Sequence, residues 1–183
     1  MSFLQDKRLE RGAEDEVKTF VSALILALVF FAADQITKAA VVKYIHFGER
    51  ISVIPGFFNL TYITNTGAAW GILSGHGWLL LLISFAVLIA LICFIRQLAD
   101  GWPERIYAVA LIVSGIIGNS VDRIFRSEVV DFLQFFFGNY QYPSFNVADS
   151  CICVGVFIFV LSTLFRPDNK SSSENSSHVR QGK

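Results

Sequence analysis

Between residues 113 and 149 the chain reads VSGIIGNSVDRIFRSEVVDFLQFFFGNYQYPSFNVAD, and it holds most of the side chains that could do chemistry. Asn119 and Asp122 leave one very apolar segment. Asp131 sits in the short connection that follows, which reads as a loop. Asn146 and Asp149 open the next apolar segment. Carboxylates at the edge of hydrocarbon are costly, so a group of them is a functional feature by default. Two carboxyls held close in a low dielectric cannot both ionise cheaply, so they share a proton. The ionised one can then take a proton from water while the protonated one polarises a carbonyl, which is how paired aspartates hydrolyse a peptide bond. The same seam could instead relay protons or bind a cation in a transporter. The plain alternative is that these residues cap helices at the membrane surface.

The segments that carry these residues are set by composition. Apolar residues make up 54% of the 183, charged residues only 16%, and Phe alone occurs 18 times. Soluble domains carry about 25% charged residues. The chain is therefore an all-α membrane protein in its main architecture. It has four transmembrane helices, at roughly 18–41, 76–96, 105–122 and 147–165, and a small extracytoplasmic β-element at 43–75. In that last region Phe58, Leu60 and Tyr62 alternate with Asn59 and Thr61 after a Pro55-Gly56 turn, which is strand spacing. A polar segment, 1–17, precedes the four-span domain of 18–166. A Ser- and Asn-rich tail, 167–183, follows it and is expected to be disordered. A cleaved signal peptide is the weaker reading of the first apolar run, because Asp34 to Lys38 interrupts that run without ending it. Cys93, Cys151 and Cys153 form no CxxC pair, and the three histidines have no metal-ligand spacing, so neither a disulfide framework nor a metal site is expected. The cysteines read as small buried apolar side chains.

Counting Lys and Arg gives ten on the side of both termini and five on the other, which places the termini in the cytoplasm. Depth follows from the helical rise of about 1.5 Å per residue. Asp34 lies 16 residues after Lys18, Asp122 lies 17 after Arg105, and Asp149 lies 17 before Arg166. Three helices thus bring a carboxylate to one level, just inside the outer interface of a hydrocarbon core about 30 Å thick. Gly115, Asn119 and Asp122 share one helix face, and Gly115 and Gly118 allow close approach of a neighbouring helix. Asn146 is placed as an N-cap. Four spans without broken-helix repeats argue against a transporter.

Five segments taken together resemble the lipoprotein signal peptidases, the bacterial signal peptidase II family of membrane aspartic proteases. They are Asp34-Gln-Ile-Thr-Lys38, Asn65-Thr-Gly-Ala-Ala-Trp70, Gly118-Asn-Ser-Val-Asp-Arg123, Val130-Asp-Phe132 and Phe145-Asn-Val-Ala-Asp149. The resemblance covers roughly residues 20–165. It implies an endopeptidase that removes the signal peptide of diacylglyceryl-modified prolipoproteins, cutting before the lipidated cysteine. It implies Asp131 and Asp149 as the catalytic pair. Asp34, Lys38, Asn65, Gly67, Ala68, Asn119, Asp122, Arg123, Asn146 and Ala148 would bind substrate or support the site. No cofactor and no metal are implied. The implied partners are lipid-modified prolipoproteins and membrane lipid, with no nucleic acid. A monomer in the bacterial cytoplasmic (inner) membrane, inhibited by globomycin, is expected. The family's outer β-cradle and surface helix would fall on 43–75. Ser114 stands where the family commonly has a glycine, and Trp70 where it often has Phe. Asp122 and Arg123 could instead pair with each other or with lipid phosphate. Asp34 could snorkel at the interface. Phe135, Phe136 and Phe137 read as a membrane-surface contact before a substrate box, with bordering the cleft as the alternative, and Trp78 and Trp102 read as interface anchors.

Overall fold

The computed structural model describes residues 2–166; the tail expected over 167–183 lies outside the described residues. Among the described residues, four helices are long and apolar enough to cross a membrane. They are α1 (Ser2–Tyr44), α2 (Gly77–Ala99), α3 (Pro103–Arg126) and α4 (Val147–Phe165). At about 1.5 Å per residue α1 is roughly 65 Å long, twice the thickness of a hydrocarbon core. Its apolar part lies within Gly12–Tyr44, so the polar amino-terminal residues continue the helix beyond the span.

Helix boundaries follow from local chemistry. Pro103 occupies the first turn of α3, where its missing N–H costs nothing. The helix ends at Ser127, whose φ of 66° stops the helical path. Asn146 opens α4 with a full capping box: its side chain accepts from the Asp149 N–H, and the Asp149 carboxylate accepts from the Asn146 N–H. The N-cap role expected of Asn146 is therefore observed.

The bundle is built around α3, which packs against α1, α2 and α4. Close approach depends on glycines. A Cβ at Gly115 would collide with the Ala148 carbonyl and stand 2.6 Å from Ile152 Cγ1. At Gly155 of α4 it would stand 2.6 Å from the Ala108 carbonyl. The large apolar side chains of α1, α2 and α4 mostly point outward (Leu28, Ile89 and Phe157 among them). That is the pattern of helices solvated by lipid, where small residues line the helix contacts.

Above one end of the bundle lies a four-stranded antiparallel sheet in the order β1-β2-β3-β4. Its strands are β1 (Arg50–Ile54), β2 (Phe58–Asn65), β3 (Val129–Phe137) and β4 (Tyr140–Gln141). The strand spacing at Phe58 to Tyr62 thus marks β2. The expected loop around Asp131 is instead β3, because Val129-Val130-Asp131-Phe132-Leu133 is β-branched and aromatic and pairs with β2 through Ile63↔Asp131 and Thr64↔Val130. The expected surface helix is a single 3₁₀ turn, Ala69–Gly71, with Trp70 at φ 55°. Alternation along β3 sends Val130 and Phe132 into a core with Val41 and Ile45 of α1. It turns Asp131 to the opposite side.

Gly115→Ala is expected to lower the melting temperature in detergent by roughly 5 °C, since overpacking costs about 1–3 kcal/mol. Gly12→Ala, in open space on α1, should leave it unchanged or slightly raised. Equal melting of wild type and Gly115→Ala would refute the close helix contact.

Candidate active site

Asp131 on β3 and Asp149 in the first turn of α4 both line one cleft of about 680 Å³. Asn146 touches both. Its side-chain N–H donates to Asp131 Oδ1 at 2.8 Å, and its backbone N–H donates to Asp149 Oδ2 at 3.2 Å. Asn119 of α3 donates from Nδ2 to Asp149 Oδ1 at 2.7 Å. Both Asp149 oxygens therefore accept an N–H. Asn146 is fully buried and Asp131 is 2% exposed.

Burial, and then the neighbouring charge of Asp149, push the Asp131 carboxyl from its ordinary 3.8 up to about 7. Hydrogen bonds from Asn146 and Asn65 and the charge of Lys38 oppose the shift without cancelling it.

Behind the cleft lies an ionic node. Lys38 Nζ reaches Asp34 Oδ2 at 2.8 Å, Asp122 Oδ2 at 3.0 Å and Asn119 Oδ1 at 3.0 Å. Lys38, Asp34 and Asp122 are each 1% exposed. The node also grips the backbone next to each cleft carboxylate. Asp34 Oδ1 accepts from the Ala148 N–H at 2.9 Å, and Asp122 Oδ2 from the Val130 N–H at 3.2 Å. Gly118 is open to this node, since a Cβ there would stand 2.7 Å from Asp34 Oδ2. Two alternatives fall away. Asp34 is buried in an ion pair and does not snorkel. Asp122 pairs with Lys38, and at 3.6 Å with Arg126, not with Arg123.

Arg123 faces the cleft and ties α3 to the segment after β2, donating from Nη2 to the Gly67 carbonyl at 2.9 Å. Gly67 is closed by its own turn: its N–H donates to Asn65 Oδ1 at 2.8 Å, and a Cβ would come within 2.7 Å of the Ile72 carbonyl. Asn65, Gly67, Ala68, Asn119 and Arg123 thus reach the cleft wall. Lys38, Asp34, Asp122, Asn146 and Ala148 stand behind it.

The sequence points to Phe135, Phe136 and Phe137 chiefly as a surface contact that could also border the cleft; the structure shows a wider aromatic wall. Phe57, Phe135, Phe137, Tyr142 and Phe145 line the cleft. Phe135 stacks on Phe58 at 4.7 Å and on Phe145 at 5.8 Å. Phe135 and Phe137 are therefore cleft residues as well as surface ones, and Phe136 pairs with Gln141 of β4. Once 129–137 is a strand, its side-chain alternation puts Asp131, Phe135 and Phe137 on one face. Cys151 is buried as expected, but Cys93 and Cys153 are exposed, and Cys153 borders the cleft. Trp78 is exposed at the start of α2, and the Trp102 ring lies 4.4 Å beneath the Arg166 guanidinium.

The model of the family described as signal peptidase (SPase) II matches residues 26–165. The chain belongs to the signal peptidase II family. A lipoprotein signal peptidase of Bacillus pumilus is 42% identical over 154 residues, 83% of this chain and 97% of that protein. One of Bacillus subtilis is 42% identical over 150 residues, 82% and 97% of the two chains. A solved structure described as a bacterial membrane enzyme, determined by the in meso method, superposes with a TM-score of 0.74 at 36% identity, over 78% of this chain and 87% of that one. Membership in the signal peptidase II family makes the chain a membrane protease, and the cleft is the candidate place for its chemistry.

Asp131 binds its proton more tightly in the folded chain than in the unfolded one. Its contribution to stability is therefore greatest at acid pH and declines as pH rises from 3.8 to about 7. Asp131→Asn removes that decline. The melting temperature of the variant minus that of wild type should widen by at least roughly 3 °C across this range. A gap that does not change with pH would contradict the buried, proton-binding setting of Asp131.

Proposed function

We propose that the chain removes the signal peptide of diacylglyceryl-modified prolipoproteins, cutting before the lipidated cysteine, with Asp131 and Asp149 as an aspartic dyad. The observation that carries the reading is Asn146 joining both carboxylates at the wall of one cleft, at the end of the bundle where the sheet sits. The lipoprotein signal peptidases that the chain resembles over four-fifths of its length support the substrate class.

Asp149, held as an acceptor on both oxygens, enters as the ionised partner and takes a proton from the attacking water. Asp131, protonated up to about pH 7, donates to the scissile carbonyl oxygen. The tetrahedral intermediate then collapses as the amine of the lipidated cysteine leaves with a proton from the dyad. Asn65, Gly67, Ala68 and Arg123 form the wall that would receive the peptide backbone. The aromatic wall suits apolar residues and the lipid of the substrate. No metal or cofactor enters these steps. The proposed orientation puts both termini in the cytoplasm and the cleft at the outer face of a bacterial inner membrane, where the substrate's acyl chains lie. The enzyme acts as a monomer, and globomycin-type peptides occupy the cleft.

The test is cleavage of a diacylglyceryl-modified prolipoprotein by purified enzyme in detergent, with excess chelator present. Wild type should cut. Asp131→Asn and Asp149→Asn, each verified as folded, should lose at least about 10³-fold in rate. The wild-type rate should fall as pH rises past about 7, where Asp131 gives up its proton. Normal cleavage by both variants would end the dyad reading, and ion flux through liposomes without cleavage would return the seam to transport.

A further inference from the structure

Lys38 has no route to a bound peptide, being 1% exposed behind the cleft wall. Its ammonium has three N–H groups and three acceptors: Asp34, Asp122 and Asn119. Two of these bonds neutralise charge. The third joins a neutral amide, and that amide addresses the cleft, because Asn119 Nδ2 donates to Asp149 Oδ1 at 2.7 Å. Charge neutralisation alone would not require it.

A side-chain amide has a direction. With its carbonyl toward Lys38, Asn119 presents N–H to Asp149. Turned over, it would press its N–H₂ against an ammonium and its carbonyl against a carboxylate. Asn146 Nδ2 also reaches Asn119 Oδ1, at 3.2 Å. That nitrogen has only two hydrogens, however, and two other acceptors: Asp131 Oδ1 at 2.8 Å and the Val130 carbonyl at 3.3 Å. Lys38 is therefore the donor to Asn119 that no cleft group competes for.

We propose that Lys38 is a positioning residue for the cleavage reaction, which fixes the direction of the Asn119 amide and thereby the donor that orients Asp149. The inference rests on the peptidase reading above. Lys38 acts on the turnover step through Asn119 and not on substrate binding. The relay runs from α1 through α3 to α4, so three separate spans set the aim of one carboxylate.

The experiment is a double-mutant cycle of Lys38→Met and Asn119→Ala, run in an Asp34→Asn chain so that the buried cation and one buried anion are removed together. Rates are taken per folded enzyme on the diacylglyceryl-modified prolipoprotein. Lys38→Met should lower kcat about 10²-fold, the cost of a slightly misplaced catalytic group, with KM within about 3-fold of its Asp34→Asn parent. With Asn119→Ala already present, Lys38→Met should cost less than about 3-fold more. An equal loss in both backgrounds, a loss carried by KM, or failure of the charge-balanced Lys38→Met chain to fold would overturn the proposal in favour of a purely structural lysine. The peptidase reading is decided separately, by wild type and the Asp131→Asn and Asp149→Asn variants, whichever way the cycle falls.

Discussion

The ammonium of Lys38 is the point on which the rest of this structure depends. A lone cation inside a membrane bundle is expensive, and its cost falls only when partners converge on it. Here they come from α1 as Asp34 and from α3 as Asp122 and Asn119. Each partner then passes the constraint on: Asp34 to the Ala148 N–H, Asp122 to the Val130 N–H, Asn119 to Asp149. One buried charge thus fixes the first turn of α4 and the start of β3, the two elements that carry the cleft carboxylates. In lipid the hydrophobic effect does not press helices together, so such polar links and close glycine contacts carry much of the specificity of packing.

The surroundings of the two cleft carboxylates differ, and the difference is useful. Asp149 belongs to a capping box and receives N–H donors on both oxygens. Asp131 sits on a strand, is buried, and binds its proton up to about pH 7. Two carboxyls so close in a low dielectric do not both lose their protons cheaply, so the different donor sets around them matter. Asn146 keeps the pair in register because it is at once the cap of α4 and a donor to β3. The aromatic wall borders the same cleft as this polar pair.

The element that sequence patterns described least well was the one carrying Asp131. A nine-residue strand with Asp and Gln among Val and Phe shows no simple alternation, because both of its faces are covered. One face lies on Val41 and Ile45 of α1, and the other forms the cleft. A strand buried on both sides reads as an apolar run, and a short apolar run next to a helix end is ambiguous. Its partner β2 was legible, since Phe58, Leu60 and Tyr62 alternate with polar residues. The pairing of the two across some 70 residues was not legible.

By itself, the sequence determined four apolar segments of spanning length, the Asn146 cap and the glycines that allow α3 and α4 to meet. Its motifs picked out Asp131, Asp149, Asn65, Asn119 and Arg123, which line the cleft, and Asp34, Lys38 and Asp122, which stand behind it. These features are local: they depend on composition, on a period of 3.6 and on caps a few residues long. Asp34 and Lys38 are four residues apart on α1 and can pair within that helix, but tertiary structure decided which charge joins them from another helix. Asp122 neighbours Arg123 in the chain yet bonds Lys38 from another helix. Phe135 and Phe137 became cleft walls only when β3 joined the sheet. The physical reason is that an ion pair between helices is chosen by three-dimensional proximity in a low dielectric, whereas spacing along one segment encodes only pairs within a helix such as Asp34 with Lys38.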